Sequence, residues 1–66
     1  MSQCEMILEY MKEKGSITPL EALNELGCMR LGARIWDLRH EGHNIRREMV
    51  LDAKSNKRWA KYYFVR

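Results

Sequence analysis

The stretch Thr18–Gly42, TPLEALNELGCMRLGARIWDLRHEG, decides the fold of this 66-residue chain. Its first residues predict a helix start, since Thr18 suits an N-cap, Pro19 the first helical position and Glu21 a capping box. Gly27 suits the end of that helix, because glycine adopts the left-handed conformation at little cost. A short, capped helix is therefore expected in the first part of the stretch.

This helix carries an apolar stripe. Leu20, Leu23 and Leu26 follow one another over two turns. Ala22 is small enough to allow close packing against another helix. Immediately before the cap, Ile17 either packs onto the helix or forms a short strand.

A second helix is expected after a turn of three or four residues. Leu31, Ile35 and Leu38 have the spacing of one buried helix face. Gly42 suits the end of this helix. Two helices joined by a short turn, the second carrying three arginines, are typical of a helix-turn-helix.

The rest of the chain predicts one helix before this pair and a hairpin after it. Ser2 and Glu5 have capping-box spacing, and Gly15 suits the helix end. After Gly42, apolar and polar residues alternate as in a strand, and a polar turn leads to a segment rich in aromatic residues. The expected single α+β domain, residues 1–66, has helices at about 3–14, 19–26 and 30–41 and a two-stranded hairpin at about 44–65.

Charge is divided unevenly along the chain. Residues 1–29 hold five acidic and two basic residues, net −3, whereas residues 30–66 hold ten basic and four acidic residues, net +6. A basic half is typical of a surface that binds a polyanion, although two solvated faces would give the same count. No run approaches the roughly 18 apolar residues of a membrane span. Two cysteines form no disulfide framework, so we expect reduced thiols and a cytoplasmic location.

The quoted residues resemble a family of small phage and prophage helix-turn-helix proteins. ITPLEALNELG, residues 17–27, follows the family pattern I-T-x-x-E-A-L-x-x-L-G. RLGARIWDLRHEGHNI, residues 30–45, follows R-L-x-A-R-I-x-x-L-R-x-x-G-x-x-I. The resemblance covers residues 3–45, continues more loosely beyond them, and implies a winged helix-turn-helix fold. It also implies DNA binding, with the third helix in the major groove and the hairpin, or wing, on the backbone.

Two features depart from the family pattern. Trp36 stands where a small or polar residue is usual, and the wing tip has no glycine. Asn56 is the candidate for the left-handed residue of that tip. Three roles are open for Trp36: a sugar-phosphate contact, packing under the hairpin or on Trp59, or an anchor for a protein partner. Of these we expect packing under the hairpin or on Trp59.

The helical period then selects residues that would touch DNA. The candidates are Met29, Arg30, Ala33, Arg34 and Asp37 on the third helix, and Lys54, Asn56, Lys57 and Arg58 on the wing. Arg30 is the first choice for a guanine edge or a phosphate. The alternative for Arg34 is an ion pair with Asp37, and for Arg39 a contact with Glu41 or the wing. The alternative for the wing cations is protection of an edge strand from aggregation.

Catalytic and metal chemistry are not expected. Cys4, Cys28, His40 and His43 lack metal-ligand spacing, and neither an orienting carboxylate nor an oxyanion loop accompanies them. We therefore expect no enzyme activity, metal, cofactor or small-molecule substrate.

The favoured function is sequence-specific binding of double-stranded DNA by a small phage-type transcriptional regulator or recombination accessory protein in a bacterial host cell. Because one such module has a small footprint, a homodimer or a host protein partner is expected to add affinity. The alternative is a protein-binding winged helix that inhibits a host enzyme or defence system through Trp36, Trp59 and the tyrosines. RNA binding is a weaker third hypothesis.

Overall fold

The computed structural model describes residues 2–65, which form three helices and three strands. The helices are α1 (Gln3–Lys14), α2 (Pro19–Leu26) and α3 (Leu31–His40), and the strands are β1 (Ser16–Ile17), β2 (Ile45–Asp52) and β3 (Lys57–Phe64). Helix α3 is one residue shorter at each end than expected, because Arg30 and Glu41 are its capping residues.

Local hydrogen bonds fix both ends of α2. The Glu21 N–H donates to the Thr18 hydroxyl at 3.2 Å, and the Thr18 N–H donates to the Glu21 carboxylate at 3.0 Å. The capping box predicted from the sequence is therefore complete. Gly27 ends the helix in the left-handed conformation, with a φ of 65°.

The apolar stripe of α2 lies mostly at the surface. Ala22 is fully buried and turns toward the core, whereas Leu23 is 45% and Leu20 66% exposed. At 100° per residue, Leu26, Leu23 and Leu20 lie roughly 40°, 100° and 160° around the helix from Ala22, so exposure rises in that order. Leu26 alone of the three leucines packs against the core.

The sheet has three strands rather than the two expected. All neighbours are antiparallel, in the order β1-β3-β2. Ile17 lies opposite Tyr62 of β3 and is fully buried. Two residues are too few to show a period, but they satisfy backbone groups on the open edge of β3. The prediction of a two-stranded sheet was therefore wrong. Ile17 forms a short strand, which was one of the two roles expected of this residue.

One core forms where the three helices meet the base of the hairpin. Its buried residues are Ile7, Met11, Ile17, Ala22, Cys28, Leu31, Ile35, Leu38, Ile45 and Tyr62. The predicted inward face of α3 is part of this core. Further along β2, Met49 and Leu51 are more than half exposed, because the hairpin extends past the helices and nothing in residues 2–65 covers its tip. The resulting shape is elongated, at 36 × 23 × 20 Å.

Candidate nucleic-acid interface

One side of α3 is open to solvent. Gly32, Trp36 and His40 are exposed and recur at every fourth position, so they share one side of the helix. Met29 precedes them in the turn and is 85% exposed. The side that faces the core is thus opposite a side that is available to a ligand along the length of the helix.

The three arginines of this region differ in what their side chains bind. The Arg34 guanidinium lies 3.4 Å from the Asp37 carboxylate in an ion pair. Arg39 donates from Nε and Nη2 to the carbonyl oxygen of Ile45, at 3.1 and 2.9 Å, and so ties the end of α3 to the start of β2. Arg30 is exposed and makes no side-chain hydrogen bond or ion pair within residues 2–65. Arg30 is therefore the arginine left available.

A carboxylate organises the tip of the hairpin. The Asp52 side chain accepts a hydrogen bond from the Lys54 N–H at 3.0 Å and another from the Ser55 hydroxyl at 2.8 Å. The hydrogen bond from Ser55 and then that from Lys54 lower the pKa of Asp52. Asn56 has a φ of 58°, which confirms that it supplies the left-handed residue in a tip without glycine.

This tip carries three cations into solvent. Lys54, Lys57 and Arg58 are exposed, and none of them is ion-paired within the described chain. The next cation along β3, Lys61, lies 5.5 Å from the centre of the Tyr63 ring. The hairpin tip is therefore a hydrogen-bonded, positively charged projection.

A family model described as a winged helix-turn-helix domain matches residues 2–66 of this chain. The chain belongs to this family. Membership indicates DNA binding in general, and such domains are typically not enzymes. Helix α3 is the second helix of the helix-turn-helix, and the β2–β3 hairpin is the wing. No curated protein and no solved structure matches the chain.

The predicted contact residues of the winged helix differ in exposure. Exposed are Met29, Arg30, Lys54, Asn56, Lys57 and Arg58, and half-buried are Ala33, Arg34 and Asp37. The half-buried group lies on the side of α3 nearer to α1, where the Cys4 thiol is 4.0 Å from the Arg34 carbonyl oxygen. Burial, and then the nearby Asp37 carboxylate, raise the pKa of Cys4, so this thiol stays protonated at neutral pH.

Trp36 does not pack under the wing or on Trp59, so that prediction was wrong. Its side chain is 60% exposed and stacks on the His40 ring, with 3.6 Å between the ring centres. The His40 Nδ1 lies 2.9 Å from the Trp36 carbonyl oxygen, which fixes the orientation of the imidazole. The i, i+4 spacing of the two rings on the open side of α3 is the sequence signal that points to this stack.

Sequence reasoning also missed two exposed cations on the wing. Arg46 and Arg47 lie near the base of β2, opposite Tyr63 and Tyr62 respectively. Because successive strand residues point to opposite faces, the two guanidinium groups extend positive charge to both faces of the sheet. The signal for Arg47 was its place at a position where the alternation calls for an apolar residue, whereas Arg46 fits the alternation.

No helix within residues 2–65 is both long and apolar enough to cross a membrane.

Proposed function

We propose that this winged helix binds double-stranded DNA sequence-specifically, with α3 in the major groove and the wing on the sugar-phosphate backbone. The observation that carries the proposal is the exposed Arg30 just before α3, whose side chain forms no hydrogen bond or ion pair within residues 2–65. In this role the chain acts as a small transcriptional regulator or recombination accessory protein in the bacterial cytoplasm.

The start of α3 supplies the base contacts. In this role Arg30 donates two hydrogen bonds to a guanine O6 and N7, the commonest specific contact in the major groove. Gly32 follows in the first turn, and a Cβ built on it would face the Tyr62 hydroxyl at 3.9 Å, so this position faces the wing. The Ala33 methyl group, and beside it Met29, supply apolar contacts of the kind that recognise a thymine methyl. Arg34 and Asp37, already paired, lie at the margin of this surface.

The wing supplies contacts that carry no sequence information. Lys54, Lys57 and Arg58 are free to pair with phosphates, and the Asn56 amide adds a hydrogen-bonding group at the same tip. Because Asp52 orders the tip, these groups lose little further conformational freedom on binding. Trp36, on the open side of α3, contacts the sugar-phosphate wall of the groove.

A single module of this kind covers roughly 600–1,000 Å² of protein surface on DNA. Useful affinity at physiological salt therefore needs a second copy or a partner protein. Two copies on one duplex would produce a complex of twice the protein mass, which analytical ultracentrifugation of the protein–DNA complex measures directly.

The test is selection of a duplex library with random sequence, followed by anisotropy titrations of the selected duplex at several salt concentrations. We expect an enriched sequence motif. If about five phosphates are neutralised, log K falls against log salt with a slope near −4.5. A slope near zero, or failure to enrich any motif, would contradict the proposal.

Three alanine variants separate the roles within the interface. Arg30→Ala is expected to weaken binding by about 1–3 kcal/mol and to relax preference at one base pair. Lys57→Ala is expected to weaken binding to all sequences alike and to make the salt slope shallower by about one. The matched control is Lys14→Ala, since this exposed lysine ends α1 in the acidic half of the chain. Equal losses in all three variants would indicate attraction by net charge alone.

A further inference from the structure

A groove of about 780 Å³ lies between α2 and the wing, beside the surface proposed for DNA. Its apolar lining comes from Leu20, Leu23, Met29, Val50 and Trp59. Six large apolar side chains are exposed within residues 2–65, and three of them, Leu20, Leu23 and Met29, line this groove. Such a concentration of exposed apolar surface on a small domain indicates a binding site.

The fold itself holds this groove open. Turning α2 about its axis to bury Leu20 and Leu23 would move Ala22 out of the core. The same rotation would break the hydrogen bond that the Tyr10 hydroxyl of α1 donates to the Glu21 carboxylate at 3.0 Å. The leucines therefore stay at the surface, and a molecule that covers them gains the free energy of removing them from water.

The groove has a positively charged rim. Lys57, Arg58 and Lys61 line it together with two acids, Glu21 and Asp52. Each carboxylate already accepts two hydrogen bonds from neighbouring groups of the chain. The cations form no ion pair within residues 2–65, so the groove attracts carboxylates from outside.

The charges and the apolar lining together discriminate between occupants. Two copies of the chain that met groove to groove would bring their cationic rims together, which opposes association. The outer surface of α1 is acidic, but this helix, described throughout, exposes no large apolar side chain to fill the groove. A phosphate backbone would satisfy the cations and leave the leucines in water.

We propose that the groove between α2 and the wing binds an acidic, amphipathic segment of a partner protein. Leucine-like side chains of that segment cover Leu20, Leu23 and Met29, and its carboxylates pair with the rim cations. Helix-in-groove recognition combines apolar anchors and flanking charges in this way. The proposal does not rest on DNA binding, although Met29, Lys57 and Arg58 belong to both surfaces.

The test uses the full chain, immobilised, to select from a library of random 16-residue peptides displayed on phage. The selected peptides are then synthesised and titrated by fluorescence anisotropy. We expect peptides that combine two or more large aliphatic or aromatic residues with a net negative charge.

Two serine variants locate the site. Leu20→Ser is expected to weaken the selected peptides about tenfold or more, as for the loss of an anchor at the centre of an interface. Leu51→Ser is the matched control, because Leu51 is 54% exposed but does not line the groove. It is expected to change affinity less than about twofold. Both leucines are exposed, so unfolding curves should show that both variants keep the fold.

A charge variant tests the rim. Lys61→Ala is expected to weaken acidic peptides several-fold and to have no effect on a version of the peptide with glutamine in place of glutamate. The proposal is overturned by selection of basic or neutral peptides, by failure to select any, or by peptides that bind Leu20→Ser unchanged. Self-association of the chain that Leu20→Ser abolishes would assign the groove to a second copy, and would also overturn it.

Discussion

The two helices of the helix-turn-helix are held in place by different means. Helix α2 begins with a reciprocal capping box at Thr18 and Glu21 and ends in a left-handed Gly27. Helix α3 begins at Leu31 after the N-cap Arg30, and no described side chain caps its first turn. Its position depends on the buried face around Ile35 instead. Local sequence thus fixes α2, whereas tertiary packing fixes α3.

This difference assigns different chemistry to the two helices. An uncapped first turn has backbone N–H groups without a partner, and the positive end of the helix dipole lies beside them. Both attract a phosphate, which supports the proposed DNA contact at the start of α3. The start of α2 has fewer such donors, because the Glu21 N–H is bonded to Thr18 and Pro19 has no N–H, and its outer side presents Leu20 and Leu23. One helix of the pair is therefore suited to a polyanion and the other to an apolar partner.

The largest expected effect tests whether packing holds α3. Ile35→Ala should lower the free energy of unfolding by about 2–5 kcal/mol, because it leaves a cavity in the core. A domain of this size has a total on the order of 3–10 kcal/mol, so much of the protein would unfold. Leu20→Ala, on the outer side of α2, should cost less than about 0.5 kcal/mol. Urea unfolding followed by circular dichroism measures both, and equal losses would contradict the exposure of the α2 leucines.

The next prediction separates Arg30, which is proposed to bind DNA, from Arg39, which stabilises the fold. Arg39→Ala should lower the free energy of unfolding by about 1 kcal/mol, because the Ile45 carbonyl loses both of its guanidinium donors. Arg30→Ala should leave unfolding within about 0.5 kcal/mol of the parent chain. In DNA titrations the order should reverse, with Arg30→Ala alone changing sequence preference. If Arg39→Ala changed that preference instead, the reading role would move to Arg39.

A smaller effect tests the local control of α2. Thr18→Ala should destabilise the protein by about 1 kcal/mol, as for other N-cap residues. Thr18→Ser keeps the hydroxyl that accepts from the Glu21 N–H and should stay close to the parent stability. Thermal unfolding of the three proteins gives the comparison. If serine were as harmful as alanine, the methyl group and not the cap would be the important feature.

The smallest effect concerns the wing tip and pH. Because its hydrogen bonds hold the pKa of Asp52 below the ordinary value of 3.8, their contribution is present above that pH and is lost as the pH falls through the lowered pKa. We expect the Lys54 and Ser55 amide signals in NMR spectra to move toward unstructured values in this acidic range. Asp52→Ala should show those values already at neutral pH, and no difference between the proteins at pH 7 would contradict the role of the carboxylate.

Features set by neighbours in the sequence were predictable. The capping box at Thr18, the left-handed Gly27 and the left-handed Asn56 all follow from side chains within a few residues. The inward face of α3 followed from its period. The stack of Trp36 on His40 also joins residues that are close in sequence. It was not predictable, because the indole had other packing partners to choose from in the wing, and their positions depend on the tertiary structure.

Features set by distant partners were not predictable. Strand β1 exists because residue 17 meets residue 62 across the sheet, and no periodicity in two residues announces that pairing. The groove beside α2 likewise arises from residues about 30 positions apart in the chain, which only the folded wing brings near the helix.

The sequence by itself determined the order of helices and hairpin, the ends of α2, and the concentration of cations in the second half of the chain. Those properties depend on the backbone preferences and the charges of individual residues. Only the tertiary structure decided which arginine remains free, which side Trp36 occupies, and that the leucines of α2 face outward. Each of these depends on which side of a helix packs against the core. On α2 the small side chain of Ala22, rather than a leucine, faces the core because it allows the closest approach.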